Sequence, residues 1–521
     1  MTYHRLGQVL GTTSPQVWRR HHKEDLIDKL VHRNDVSFSI SQTKPDTTVD
    51  EPLLTSSCQV AHQAGVNCLT VDNIDGQFLI TGGADSIIRL WNLDNHTSSP
   101  SSTSPSGQPW APNTHYPIAS SSRATPESHT HALTSISIYP FDPTPSTLLS
   151  TAYDKTLKVT SITPTSLVAI HTFPLDYAPY THAVSTVPDS SPLIAVGTAH
   201  PAVRLLDLRS GLSTHSLSGP NGAIYSLAWS PTHSHLLASG SADGKTLFFD
   251  IRRANPAFAS LDHDDAIGVV GEPPSTGALS ARHHVLDFQA VAHNGPVTSV
   301  QWNPTGDKIV TAGHDQRIRV WDAATGRNDL VHFGPRVRND RAGQLQPLIS
   351  PGGSYSPGRE MLFWPNDDGR GMIFQHLLRE GNMVRILRTQ GIKIAQVQSE
   401  KSGSRSSRGS AAGVSRLTSK GRINAMAWRV NAMNGYGIEM YTAHGDGSIG
   451  AWFPRSYSEE KEDDNGNDES IETYGTHGGQ PQPAVQSNDT AQDQEEIRRK
   501  RKRALIGDLV EGLAKKPMSL S

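Results

Sequence analysis

Residues 309–322 read IVTAGHDQRIRVWD. Thr311 is followed four positions on by Asp315 and six further on by Trp321, and the two apolar runs meet at a tight polar turn, the signal of a β-hairpin. Upstream, VAHNGPVTSVQW (291–302) places His293 ahead of a third strand that carries Val297, Val300 and Trp302. The same phrase returns along the chain. ITGGADSIIRLWN holds Thr81, Asp85 and Trp91, with His62 at the matching upstream place. LASGSADGKTLFFD holds Ser239, Asp243 and Phe249, and YTAHGDGSIGAWF holds Thr442, Asp446 and Trp452. Another copy keeps Ser150 and Asp154 but has Thr160 in the aromatic place. Two weaker copies fill the gaps, one with His200 at the aspartate position and one with Asp368 and Phe374. Seven copies of a four-stranded unit predict an all-β, seven-bladed β-propeller.

These residues resemble the WD-repeat family, whose name is written here at Trp321-Asp322. The resemblance implies that His, Ser/Thr, Asp and Trp of a blade form a buried hydrogen-bonded chain. His293, Thr311, Asp315 and Trp321 match it in full, as do His62, Thr81, Asp85 and Trp91, while Asp154, Ser239, Asp243, Asp446 and Trp452 belong to partial copies. A buried aspartate and histidine are costly unless paired, so these read as blade-locking residues rather than catalytic ones.

Spacing locates additions to the repeat. The steps from Asp85 to Asp154, Asp243 to Asp315 and Asp368 to Asp446 far exceed the ~40–45 residues of one repeat. They contain the Ser/Pro/Thr-rich stretch 95–129, the charged Gly/Pro-containing stretch 262–289 and the Ser/Arg/Gly-rich stretch 398–420, which read as loops, either padding or substrate-modulating. The propeller is expected over 36–455, with the alternating Val36–Ile40 closing the ring as the outer strand of the last blade. In 1–35, Ser14-Pro15 predicts a helix start, and Leu26, Ile27, Leu30 and Val31 follow at helical spacing. That helix either packs on its own propeller or inserts into a partner. The tail 456–521 is acidic over 458–472 and polar beyond, so disorder is expected. Arg498, Arg499, Lys500, Arg501, Lys502 and Arg503 form a basic run, a nuclear-import candidate or a solvated charge cluster.

Composition narrows the classes. The 521 residues are 35% hydrophobic and 19% charged, below the usual ~45–50% and ~25%, and include 44 Gly and 34 Pro, so much of the chain is connection rather than core. Two cysteines, Cys58 and Cys68, leave neither a disulfide framework nor a four-cysteine zinc site. No apolar run approaches the ~18 residues of a membrane span, and no secretory signal opens the chain, so a soluble intracellular protein is expected. A net charge of −3 without an evident basic stripe argues against direct DNA binding.

No catalytic or cofactor motif emerges. Ser239–Thr246 nearly spells a phosphate loop but lacks its first glycine and lies in a repeat hairpin. The histidine pairs His21-His22 and His283-His284 are adjacent, poorly placed to share a metal, and no Gly-x-Ser-x-Gly elbow occurs. The expected role is recognition without catalysis, cofactor, metal or small-molecule substrate.

Arg252 follows Phe249-Asp250-Ile251 and Arg209 follows Leu206-Asp207-Leu208, both on the face opposite the Asp/His turns. These sequences resemble the Trp-Asp-x-Arg boxes of the WD-repeat substrate receptors of cullin-4 RING ubiquitin ligases. Over 36–455 the resemblance narrows to receptors acting in transcription-coupled nucleotide-excision repair. It implies a nuclear, non-catalytic subunit. Phe249, Asp250 and Arg252, with Asp207 and Arg209, would dock on the ligase adaptor, damage-specific DNA-binding protein subunit 1, and through it reach cullin and RING subunits. The stalled RNA polymerase II repair complex would be the substrate side. An adaptor face should stay flat, so 262–289 and 398–420 are expected on the other face. A scaffold in a chromatin or RNA-processing assembly is the alternative.

Overall fold

The computed structural model describes residues 14–40, 60–94, 113–121, 125, 127–163, 165–188, 190–253, 256–263, 268–269, 290–340, 345–389, 421–432 and 437–455. They form seven antiparallel blades. The inner strands are Val66–Val71, Leu133–Ile138, Pro179–Val184, Ile224–Trp229, Val297–Trp302, Leu348–Ile349 and Ile423–Ala432. Each of the seven sequence copies supplies the second and third strands of one blade, as Lys308–Gly313 and Ile318–Asp322 do in blade 5. Blade 4 gains a fifth strand, Gly268–Val269, while blade 5 has three strands among the described residues.

The core is a series of apolar layers between blades, because each sheet is buried on both faces. Trp91, Trp321, Trp364 and Trp452 are fully buried in these layers. The inserted stretches 262–289 and 398–420, the tail 456–521 and the basic run fall outside the described residues, apart from 262, 263 and 268–269.

Ring closure departs from the sequence expectation. Helix α1 (Pro15–Asp28) starts as expected, with the Ser14 hydroxyl accepting from the Val17 N–H at 3.4 Å. It stops at Asp28, and the next residues form strand β1 (Leu30–Arg33), which pairs antiparallel with Ile449–Pro454 as the fourth strand of blade 7. Val36–Phe38, strand β2, instead pairs in parallel with Asn113–His115. The reason is packing. Ile27 and Leu30 enter the layer holding Trp428, Met440 and Trp452, whereas Phe38 lies edge-on to Trp91 at 5.3 Å and to Tyr441 at 6.2 Å, over the seam of blades 7 and 1.

The stretch 95–129 is also not one loop. Pro117–Ser120 is the outer strand of blade 1, and His129 belongs to blade 2. The third and fourth strands of blade 1 are thus joined through 93–116, of which 95–112 lie outside the described residues.

Candidate interaction faces

The strand order of each blade divides its connections between two faces. Second-to-third turns and blade-to-blade connections share one face, and first-to-second and third-to-fourth connections share the other.

On the first face, the turn of every blade is built alike. A side chain at the aspartate position accepts the backbone N–H two residues on, at 2.9–3.2 Å in all seven blades. Asp85, Asp154, Asp243, Asp315, Asp368 and Asp446 do so with a carboxylate oxygen. In blade 3 His200 Nδ1 does it for Ala202 at 3.2 Å, so the imidazole replaces the carboxylate as acceptor. Below these turns lie the hydrogen-bonded chains. In blade 5, Trp321 Nε1 is 2.8 Å from Thr311 Oγ1, which is 2.8 Å from His293 Nε2, and His293 Nδ1 is 2.9 Å from Asp315. An indole N–H only donates and a carboxylate only accepts, so with a neutral imidazole protonated at Nδ1 the threonine donates to Nε2 and Nδ1–H donates to the aspartate; a terminal nitrogen of Arg319 also lies 2.6 Å from Nδ1. Blade 1 repeats this with Trp91, Thr81, His62 and Asp85 at 2.9, 2.9 and 3.0 Å.

Arg319 and Arg89 add a cation to each aspartate, at 2.7 and 3.1 Å. Burial alone would raise the Asp85 carboxyl, but the His62 hydrogen bond and the Arg89 charge outweigh it and hold the group at about 2. His62 and His293 are depressed, by burial first, with the aspartate hydrogen bond opposing.

The other copies differ in instructive ways. Blade 2 has a histidine link missed in the sequence, His129, 2.8 Å from Asp154 and 2.9 Å from Ser150. It stands 21 residues before Ser150, against 19 and 18 for the other two histidines, and at the end of a stretch read as loop. Blade 4 has no such histidine. The Asn221 N–H reaches Asp243 at 3.0 Å, which puts Pro220 in the histidine place, and the Ser239 hydroxyl is buried with no partner. In blade 7 His444, on the second strand itself, meets Thr442 at 2.9 Å, and Trp452 donates to Thr442 at 3.1 Å. Asp446 there serves its own turn, accepting from the Ser448 N–H and hydroxyl at 2.9 and 2.6 Å.

The first strands enclose a channel of 540 Å³ that opens beside these turns. Tyr153, Tyr180 and Tyr225 wall one side; His314, Gln346 and Arg422 lie on the other. Tyr180 stands 6.2 Å from Tyr153 and 5.3 Å from Tyr225, edge-on to both.

On the opposite face, Asp250 is buried and accepts from Arg252 three times, from the backbone N–H at 3.1 Å, Nε at 3.0 Å and a terminal nitrogen at 2.9 Å. The Arg252 side chain remains 63% exposed, so the fork is held in place while its outer edge faces solvent. Its partner is its own Asp250 rather than a neighbouring blade. Arg253 also approaches Asp250, at 3.6 Å, and lies over the Phe258 ring at 5.4 Å. Phe249 is fully buried and packs in the layer between blades 3 and 4, so it supports the box from beneath. In blade 3 the Arg209 N–H donates to Asp207 at 2.9 Å and the side chain is exposed. The second half of α1 packs on this same face at blades 6 and 7: Tyr355 donates to Asp28 at 2.9 Å and Arg359 reaches Glu24 at 3.2 Å, both from the first-to-second connection of blade 6. The first turn of α1 is exposed.

Among the described residues no group of three or more His, Cys, Asp or Glu side chains is placed to hold a metal, and no helix is long and apolar enough to cross a membrane.

The WD domain, G-beta repeat model matches residues 53–92, 120–161, 211–250 and 286–322, segments that end on the third strands of blades 1, 2, 4 and 5. The molecule is a WD-repeat β-propeller, a fold that typically serves protein interaction. Among curated proteins, the chain is similar to WD repeat-containing protein ATCSA-1 of Arabidopsis thaliana, 28% identical over 348 residues, which cover 57% of this chain and 74% of that protein. It is also similar to ribosome biogenesis protein YTM1 of Podospora anserina, 29% identical over 272 residues, 50% of this chain and 54% of that protein. A shorter match, 28% over 199 residues, is to Gem-associated protein 5 of Mus musculus, spanning 38% of this chain and 13% of that one.

Proposed function

We propose that this chain is the substrate-recognition subunit of a cullin-4 RING ubiquitin ligase, of the Cockayne syndrome A type, acting in transcription-coupled nucleotide-excision repair in the nucleus. The observation that carries the reading is the Arg252 box. A guanidinium braced by a buried Asp250 presents its free edge on the face that also holds Arg209 and α1. A pre-ordered arginine loses little side-chain freedom on docking and suits an interface centre. The similarity to ATCSA-1 over 74% of that protein supports the same reading. In it, the ligase adaptor, damage-specific DNA-binding protein subunit 1, seats on the box face, and the stalled-polymerase repair complex is met by the Asp/His face. Ubiquitin transfer belongs to the RING and conjugating subunits.

Calorimetric titration of the full chain with the adaptor tests it. Wild type should bind, and Arg252→Ala should weaken binding by at least ~10-fold. Absence of wild-type binding would sink the ligase reading. A ribosome-biogenesis scaffold is then the second reading, favoured by the YTM1 similarity over half of this chain, and co-sedimentation with ribosomal precursor particles would reveal it.

A further inference from the structure

The Asp/His face carries a charge pattern that strand order alone brings together. Arg317 follows Asp315 in the turn of blade 5, Arg370 follows Asp368 in the turn of blade 6, and Arg336 and Arg338 lie in the connection between those blades. All four are exposed. They form one surface, because Arg338 straps the two turns together. Its guanidinium donates to Gln316 Oε1 at 2.6 Å, its N–H donates to Asn366 Oδ1 at 2.8 Å, and its carbonyl accepts from the Asp367 N–H at 3.2 Å. None of the four makes an ion pair with a carboxylate of the described residues. On the box face the exposed Arg252, Arg253 and Arg359 each have one, at 2.9, 3.6 and 3.2 Å, while Arg209 bonds Asp207 through its backbone N–H.

The carboxylates nearest the arc are already engaged. Asp315 is held by His293 and Arg319, Asp340 accepts from Gln316, and Asp368 accepts from the Arg370 N–H and Asn366. The arc therefore presents more positive than negative charge. It borders the channel mouth through His314 and through Arg422, which reaches Asp367 at 3.4 Å. No carboxylate lines that channel among the described residues, and Leu69, Ile136, Leu348 and Met426 give it apolar surface.

We propose that this arc docks an acidic peptide segment of a partner protein. Its carboxylates pair with Arg317, Arg336, Arg338 and Arg370, and a neighbouring aromatic or aliphatic side chain enters the tyrosine-walled channel. The inference rests on the reading above in taking this face as the partner face, and it adds the chemistry of the partner. Guanidinium forks fit carboxylates in bidentate fashion. A nucleic-acid duplex fits less well, since such complexes commonly neutralise ~6–10 phosphates and four guanidiniums on two turns supply fewer.

The test is fluorescence anisotropy with the full chain and a fluorescein-labelled peptide of alternating Glu and Asp around one central Trp. Wild type should bind, more weakly as salt rises. The Arg317→Ala/Arg370→Ala pair, which leaves the Arg338 strap in place, should weaken binding by at least ~10-fold while keeping the wild-type thermal midpoint. Arg317→Glu/Arg370→Glu should abolish it and shift preference to the matching Lys peptide. Equal affinity for wild type and the alanine pair overturns the proposal, as does tighter binding of a DNA or RNA oligonucleotide than of the peptide. Arg252→Ala should leave peptide binding unchanged. Arginine-dependent peptide binding by a chain that ignores the ligase adaptor would remove the ligase reading and leave this one standing.

Discussion

Thr311 carries two hydrogen bonds in opposite directions, one from an indole and one to an imidazole, both out of water. Thr311→Val keeps the shape and orphans both partners, so chemical denaturation should show a loss of about 2–4 kcal/mol. Ser239 occupies the equivalent place in blade 4 with neither partner, and Ser239→Ala should cost less than about 1 kcal/mol. Equal costs would mean the chain of hydrogen bonds contributes nothing beyond burial. A second buried network joins blades 7 and 1: Arg429 meets Glu439 at 3.0 Å and also Asp94, and Tyr441 donates to Glu439 at 2.7 Å. Arg429→Met should cost about 3–5 kcal/mol by stranding Glu439, and adding Glu439→Leu should recover part of the loss. Protonation gives a third expectation. Burial holds His182 and His376 at about 4 and depresses His62 and His293, so all four are neutral when folded and take up protons on unfolding below the ordinary ~6.5. Stability should therefore fall as pH drops from ~6.5 towards 4. The share from Asp85 and Asp154, both held at about 2, is present above the ordinary ~3.9 and is lost only towards 2. A thermal midpoint unchanged between neutral pH and pH 5 would contradict this. At this scale the sequence was informative wherever a residue type has one buried use, as with Trp321 and Asp315. It concealed His444, which reaches Thr442 from the same strand and so breaks the upstream spacing.

Among elements, the hairpins were legible because both strands and the turn are adjacent in sequence, so local pattern determines them. The closing strand was not. Val36–Phe38 has the better alternation, but Leu30–Arg33 wins because α1 ends where Leu30 can fill the layer between blades 6 and 7. Alternation reports a buried face without saying which neighbour buries it. Leu30→Ala should cost about 2–5 kcal/mol in chemical denaturation, as expected for a fully buried leucine. The corresponding change at exposed Val17, on the first turn of α1, should leave stability within about 0.5 kcal/mol. A smaller effect at Leu30 than at Val17 would refute the assignment of β1.

Taken whole, the propeller separates its two arginine systems by face: the braced Arg252 fork on the face that also carries α1, and an arc without carboxylate partners beside the channel. Only the first was visible in the sequence, because Asp-x-Arg is a local phrase. The second draws Arg317, Arg336, Arg338 and Arg370 from two blades and their connection, and net charge averages it away. Substitutions on one face should leave binding at the other unaltered, which paired titrations of single and combined variants would check. The closing strand also sets the order in which the molecule can be made. Leu30–Arg33 leaves the ribosome early, but its partner Ile449–Pro454 follows some four hundred residues later. At typical synthesis speeds of about 5–20 residues per second, that edge waits roughly 20–80 s without its partner. During that interval the nascent chain is an open arc of sheets with two unsatisfied ends, and whatever shields those ends governs how much protein reaches its finished form.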